Sequence, residues 1–215
     1  GPPTKTTISG GSVPTVWEVS IPNSSAFVNV RISETQQTGY DLVPGTGSGA
    51  TLSGSYCTVT PPIGQPRVVL ITATAVDVPT VTAGEYVECE FVNKQRAGSV
   101  TWQKVDAAST AIFLSGSEWT LTGPSVPDGT IVVDCVAASD ALCPAGTYAD
   151  TDSRPGRFRL TELLHGSYTL TEHRAPAGFV RVTTPHDFVI APASLDHQFA
   201  EPFENERIPM PAIPL

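Results

Sequence analysis

Residues 166–179 read GSYTLTEHRAPAGF. Successive side chains on a β-strand point to opposite faces. Tyr168, Leu170 and Glu172 share one parity, so the stretch predicts a strand over 167–173 whose apolar face ends in a carboxylate. His173 is the next residue and is expected to point outward. The Pro176-Ala177-Gly178 turn closes the strand.

Working outward, the same alternation recurs while helical periodicity is hard to find. Strands are expected near 99–106, 117–123, 129–136, 156–161, 167–173, 186–191 and 197–205. About seven short strands separated by turn signals favour an immunoglobulin-like β-sandwich. The grammar also repeats upstream. "VNVRISETQQTGYDL" (28–42) parallels "YTLTEHRAPAGFV" (168–180), and "GEYVECEFVNKQ" (84–95) parallels "DHQFAEPFENER" (196–207). Such duplication predicts an all-β chain of two tandem sandwich domains, 1–95 and 98–208, followed by a Pro-rich tail at 209–215.

Parity then locates three polar groups on apolar faces. In "GSVTWQKVD" (98–106), Val100, Trp102 and Lys104 align, so Lys104 is expected inside. Glu172 follows Tyr168 and Leu170 inward. In "QFAEPFEN" (198–205), Phe199, Phe203 and Asn205 share a parity, although Glu201 shares it too. A lone buried ion is costly, so such groups must meet partners. Burial favours the neutral amine of Lys and the neutral acid of Glu, and a neutral amine is a nucleophile. Attack of Lys104 on the Asn205 carboxamide would expel ammonia and leave an isopeptide bond. The plainer reading has Lys104 snorkelling to solvent and Glu172 paired with an Arg.

Residues 98–208 resemble the CnaB-type (SpaA-type, prealbumin-like) domain of Gram-positive pilins and sortase-anchored adhesins. The resemblance rests on "VTWQKVD", "LSGSEWTLTG", "PGRFRLTELLHGSYTLTEHRAPAGF" and "FENER", with "YTLTEHRAPAGF" similar to the family's E-box. It implies an autocatalytic Lys–Asn isopeptide bond, with Lys104 as nucleophile, Asn205 as electrophile and Glu172 as proton shuttle. His173 stands where the family more often has Thr. The implied setting is extracellular, on a pilus or anchored to the cell wall. Implied partners are sortase and other pilin subunits or peptidoglycan, with a host surface ligand as a further option.

The first domain repeats the acid and amide, with Glu34 following Val28, Val30 and Ile32, and Asn93 following Val87, Cys89 and Phe91. The only Lys ahead of them is Lys5, in "TKTTI", whose parity is opposite to Ile8. Either a Lys5–Asn93 isopeptide with Glu34 as its catalyst, or a Glu34–Asn93 hydrogen bond without a crosslink, is expected.

Four cysteines in a β-rich chain point to an oxidising compartment. Cys57 and Cys89 lie on strand-like segments of the first domain and are expected to pair. Cys135 and Cys143 flank "VAASDAL" and would staple a local excursion. No zinc spacing accompanies them, and no metal or cofactor is expected. The net charge of −9 argues against nucleic acid, and no apolar run has membrane-spanning length. The histidines at 165, 173, 186 and 197 read as surface residues, and Asp150 and Asp152 in "YADTDSRPG" as turn chemistry rather than a calcium site. "NSS" at Asn23 is a glycosylation sequon by pattern only.

The opening Gly-Pro reads as a protease scar on a piece of a longer protein. The ending "AIPL" resembles the start of an L-P-x-T-G sorting signal. No Tyr-Pro-Lys stretch marks a polymerising shaft subunit. The expected role is the stalk of a tip or minor pilin, or of a monomeric adhesin, with no enzyme activity beyond self-crosslinking. The alternative is a ligand-binding domain contacting host matrix or glycan through its loops.

Overall fold

The structure is a computed structural model describing residues 27–210. Lys5, Asn23 and residues 211–215 of the tail lie outside the described residues. The described chain divides into two compact units, 27–36 with 42–93 and 37–41 with 94–210. Both are built from strands.

In the first unit, β1 (Phe27–Ser33) runs antiparallel to β5 (Ala75–Thr82). A three-stranded sheet places β3 (Tyr56–Thr60) between β4 (Arg67–Leu70) and β6 (Tyr86–Glu90). Assigned wholly to neither unit, β2 (Tyr40–Leu42) pairs with β7 (Asn93–Gln95). Val28, Val30 and Ile32 alternate with exposed Asn29, Arg31 and Ser33. Their apolar face packs on a core of Cys57, Val59, Ile71, Val76, Val78 and Val81.

The second unit is a sandwich of two sheets. One has the order β11 (Ile131–Val133), β10 (Glu118–Thr122), β13 (Gly166–Arg174), β14 (His186–Ile190). The other is organised around the long β8 (Gly98–Asp106). The first half of β8 lies between β12 (Arg157–Leu163) and β15 (Asp196–Gln198). Its last residues lie between β9 (Ser109–Phe113) and β16 (Phe203–Asn205). Between the sheets the Trp102 ring stacks on Phe158 at 4.7 Å, and Trp119 meets Trp102 edge-on at 6.0 Å. Val100, Leu121, Leu160 and Leu170 complete the core at 0% exposure. Each such aliphatic side chain stabilises the fold by about 1.5–3 kcal/mol over leaving it exposed.

Three details differ from the pattern read off the sequence. The strand expected over 197–205 is two, β15 and β16, separated at Phe199–Pro202. Pro202 has no N–H to give to a ladder. Glu201 falls in the break and is exposed, while Phe203 and Asn205 beyond it are buried, the inward phase expected of them. Strand β9 was not expected, because its burial pattern does not alternate and its middle residues face solvent. Strand β11 stops at Val133, after which Asp134 turns to accept the Gly116 N–H at 2.7 Å.

Candidate functional site

Lys104 sits where β8 changes partners, and its backbone is pinned on both sides. Its N–H donates to Gly156 O at 2.8 Å, and its carbonyl accepts from Leu114 N–H at 2.9 Å. Gly156 has φ +67°, and a Cβ there would lie 2.9 Å from Lys104 O and 2.7 Å from Leu114 O. Only glycine fits this approach. The "RPG" turn of the sequence thus fixes the strand that carries the amine.

The Lys104 side chain is 1% exposed, Glu172 0% and Asn205 1%. The three meet in the interior. Lys104 Nζ contacts Asn205 Oδ1 and lies 3.3 Å from Glu172 Oε1. Asn205 Nδ2 donates to both Glu172 oxygens, at 3.0 and 3.1 Å. Glu172 Oε2 also accepts the Val182 N–H at 2.8 Å. Aromatic walls surround them: Nζ is 5.5 Å from the Trp119 ring, which packs on Phe203 at 5.2 Å. Trp119 is the register partner of Glu172. Burial pulls the Lys104 amine below its usual range, and the Glu172 carboxylate beside it opposes that shift. A cleft lined by Lys104, Trp119, Val182, His186 and Phe203 opens next to the amine.

Several participants were not visible in the sequence. Val182 contributes through its backbone, which no side-chain pattern announces. Asp106, fully buried, accepts Arg207 Nε at 2.8 Å and Nη2 at 2.7 Å, tying the end of β8 to the residues after β16. The Ala108 N–H and then Arg207 hold its carboxyl below the usual range. The surface reading of the histidines holds for His173 alone. His165, His186 and His197 are half-buried, and the His186 ring stacks on Phe203 at 3.7 Å because an apolar wall was available on its side of β14. Burial, then the nearby Lys104 cation, lowers the His186 pKa.

In the first unit Asn93 Nδ2 donates to Glu34 Oε1 at 2.6 Å, and Gln36 Nε2 donates to Asn93 Oδ1 at 2.9 Å. Glu34 Oε2 is buried without a hydrogen-bond partner. Lys94, the described lysine of this region, is exposed. Lys5 lies outside the described residues. Cys57 is joined to Cys89 and Cys135 to Cys143. Among the described residues no His, Cys, Asp and Glu group could hold a metal ion, and no helix is long and apolar enough to cross a membrane.

Residues 98–199, the body of the second unit, match the sequence model of the SpaA prealbumin-like fold domain. The second domain therefore belongs to the SpaA prealbumin-like family of β-sandwich domains, and the regular structure of the described residues is nearly all β. Among solved structures, the chain is similar to the Bacillus anthracis TIE protein at 14% identity and TM-score 0.39, over 78% of this chain and 32% of that one. The group B streptococcus pilus 2b backbone protein matches at 11% identity and TM-score 0.39, over 87% of this chain and 97% of that one. BcpA, the major pilin subunit of Bacillus cereus, matches at 15% identity and TM-score 0.41, over 77% and 41%. The chain thus spans about a third of the Bacillus anthracis protein. No curated protein sequence matches it.

Proposed function

We propose that this chain is a structural stalk region of an extracellular, sortase-anchored Gram-positive surface protein or minor pilin, and that its second domain crosslinks itself. The observation that carries the reading is the convergence of Lys104, Glu172 and Asn205 in a dry, aromatic-walled interior. In that setting a proton passes from the Lys104 ammonium to Glu172, giving a neutral amine and a neutral acid. The Nζ lone pair attacks Asn205 Cγ while the Glu172 carboxyl stays on Nδ2, the group that is to leave. A proton from Nζ is then relayed through Glu172 to Nδ2, the Cγ–Nδ2 bond breaks, and ammonia leaves. The balance is one N–C bond formed, one broken and one ammonia lost.

The Val182 N–H and the Asn205 amide hold the Glu172 carboxyl in place for both transfers. The resulting bond would join the first and last strands of the domain. Neighbouring subunits, or peptidoglycan reached through sortase, are the partners this role implies.

Intact-mass spectrometry under reducing conditions tests the reading. The wild-type chain is expected to be one ammonia lighter than its sequence, and Glu172→Ala is expected to restore the full mass. A wild-type chain at full mass, or a Glu172→Ala chain that keeps the deficit, overturns the assignment. The same spectrum decides the first domain: a deficit of two ammonias signals a Lys5–Asn93 bond served by Glu34, and a deficit of one leaves Glu34–Asn93 as a hydrogen bond.

A further inference from the structure

The outer face of the sheet around β8 carries an unusual set of side chains for a chain of net charge −9. Arg159, Thr101 and Gln198 stand in one row across β12, β8 and β15. Arg157 and Gln103 form the next row. With Arg154 they line a cleft of ≈ 280 Å³. Three guanidinium groups face this cleft, against the single carboxylate of Asp152.

The arginines differ in what already holds them. Arg154 is committed to Asp152, with Nε and Nη2 donating at 2.9 and 2.6 Å. Arg157 lies over the Phe113 ring at 4.4 Å, which orients its guanidinium without using its N–H donors. Arg159 is half-buried, and its guanidinium makes no hydrogen bond or ion pair within the described residues. It feels Asp140 and Asp152 only at longer range, and those carboxylates are already bonded to Ser153 and Arg154. Gln103, Gln198 and Thr101 likewise have no side-chain partner there. A partly desolvated guanidinium with idle donors gains from a bound oxyanion more than an exposed one does.

Beneath the centre of the cleft β8 is paired on both sides, by β12 and β15, so β8 itself has no backbone groups left for a ligand and recognition there comes from side chains. Carboxamides and a hydroxyl, which both donate and accept, suit a ligand rich in hydroxyl groups.

We propose that this face is a binding site for an oxyanion-bearing glycan. Its carboxylate or sulfate group is taken by Arg157 and Arg159, and its hydroxyls by Gln103, Gln198 and Thr101. The site is separate from the interior Lys104 cluster and does not depend on a crosslink there.

The test titrates the ¹⁵N-labelled chain with four probes. A hyaluronan hexasaccharide presents carboxylates only, and a heparin-derived hexasaccharide presents sulfates as well. Chitohexaose is the neutral control and poly-glutamate the acidic peptide. At least one acidic glycan is expected to shift the amides of 99–103, 157–159 and 196–198, and comparison of the two identifies the oxyanion. An Arg157→Gln/Arg159→Gln double variant is expected to weaken binding at least tenfold at 0.15 M salt while unfolding at the wild-type denaturant midpoint. Failure of both acidic glycans to bind at millimolar concentration overturns the proposal. So does equal binding of chitohexaose or poly-glutamate, or undiminished binding by a double variant that folds normally.

Discussion

Lys104 stands opposite Phe203, not opposite Asn205, in the parallel ladder between β8 and β16. The amine nevertheless reaches Asn205 Oδ1, because the carboxamide projects back from a position two residues further along the neighbouring strand. Glu172 approaches from the opposite sheet, so the cluster bridges both layers of the sandwich. Asn205→Ala removes the electrophile from this arrangement. A crosslink between residues 101 apart would constrain the unfolded chain by about 5 kcal/mol in the chain-entropy treatment. Removing the amide also strips Lys104 and Glu172 of a partner in a dry site, which adds to the loss. The denaturant midpoint of the second domain should fall by a corresponding margin. An unchanged midpoint would mean that no covalent link contributes.

Force should find the same bond. Strands β8 and β16 are the first and last of the second domain and run parallel, so pulling on the two ends of the domain shears them past each other. With Lys104 joined to Asn205, residues 105–204 are bypassed by the applied load. Single-molecule stretching of the wild-type domain is expected to show no release of that segment. Glu172→Ala should show it, at roughly 3.4 Å per residue freed. Equal extensions for the two proteins would sink the mechanical argument.

The parts of this site that lie on long, regular strands could be read from sequence parity. Val100, Trp102 and Lys104 lie on one unbroken strand, as do Tyr168, Leu170 and Glu172, and each buried apolar pair carries its polar neighbour inward. Asn205 was harder, because Pro202 breaks the strand that a continuous parity count assumed. The Asp106–Arg207 pair was invisible for a different reason: its members are remote in sequence, and β16 has only three residues to define a phase. Strand β9 has no buried stripe at all, so it left no periodic trace. The loop over 134–156 hides its burial entirely. Its aspartates bond to backbone N–H groups in irregular structure, where no repeat tells inside from outside.

The two disulfides should contribute unequally. Cys57 and Cys89 face each other across β3 and β6 at a sequence separation of 32, while Cys135 and Cys143 are separated by 8. Loop-closure entropy gives about 4 kcal/mol for the first and about 2.5 kcal/mol for the second. Cys57 is also wholly buried in a core that, among the described residues, has fewer buried apolar members than that of the second unit. Cys57→Ala/Cys89→Ala is therefore expected to lower the midpoint of the first domain more than Cys135→Ala/Cys143→Ala lowers that of the second. The reverse order, by denaturant melts of each domain, would contradict this.

Asp150 makes the second domain sensitive to pH. Its side chain is 2% exposed and accepts the N–H groups of Cys135 at 2.9 Å, Asp152 at 3.0 Å and Arg159 at 2.9 Å. Those donors favour the ionised form, but burial outweighs them, and the neighbouring Asp134 carboxyl adds repulsion. The pKa is pushed from 3.8 up to about 6. A carboxyl whose pKa is higher in the fold than in the unfolded chain binds its proton more tightly when folded. Its contribution is complete below about pH 4 and is lost as pH rises through about 6. The loss is at most about 3 kcal/mol, and Asp134, also shifted upward by burial, pushes in the same direction. Carboxyl ¹³C titration of the folded domain should place the Asp150 midpoint near 6. A midpoint below 3.8 would mean that the three N–H donors prevail over burial; Asp150 would then add stability only as pH rises from that midpoint to about 3.8, and nothing would be lost between about pH 4 and 6.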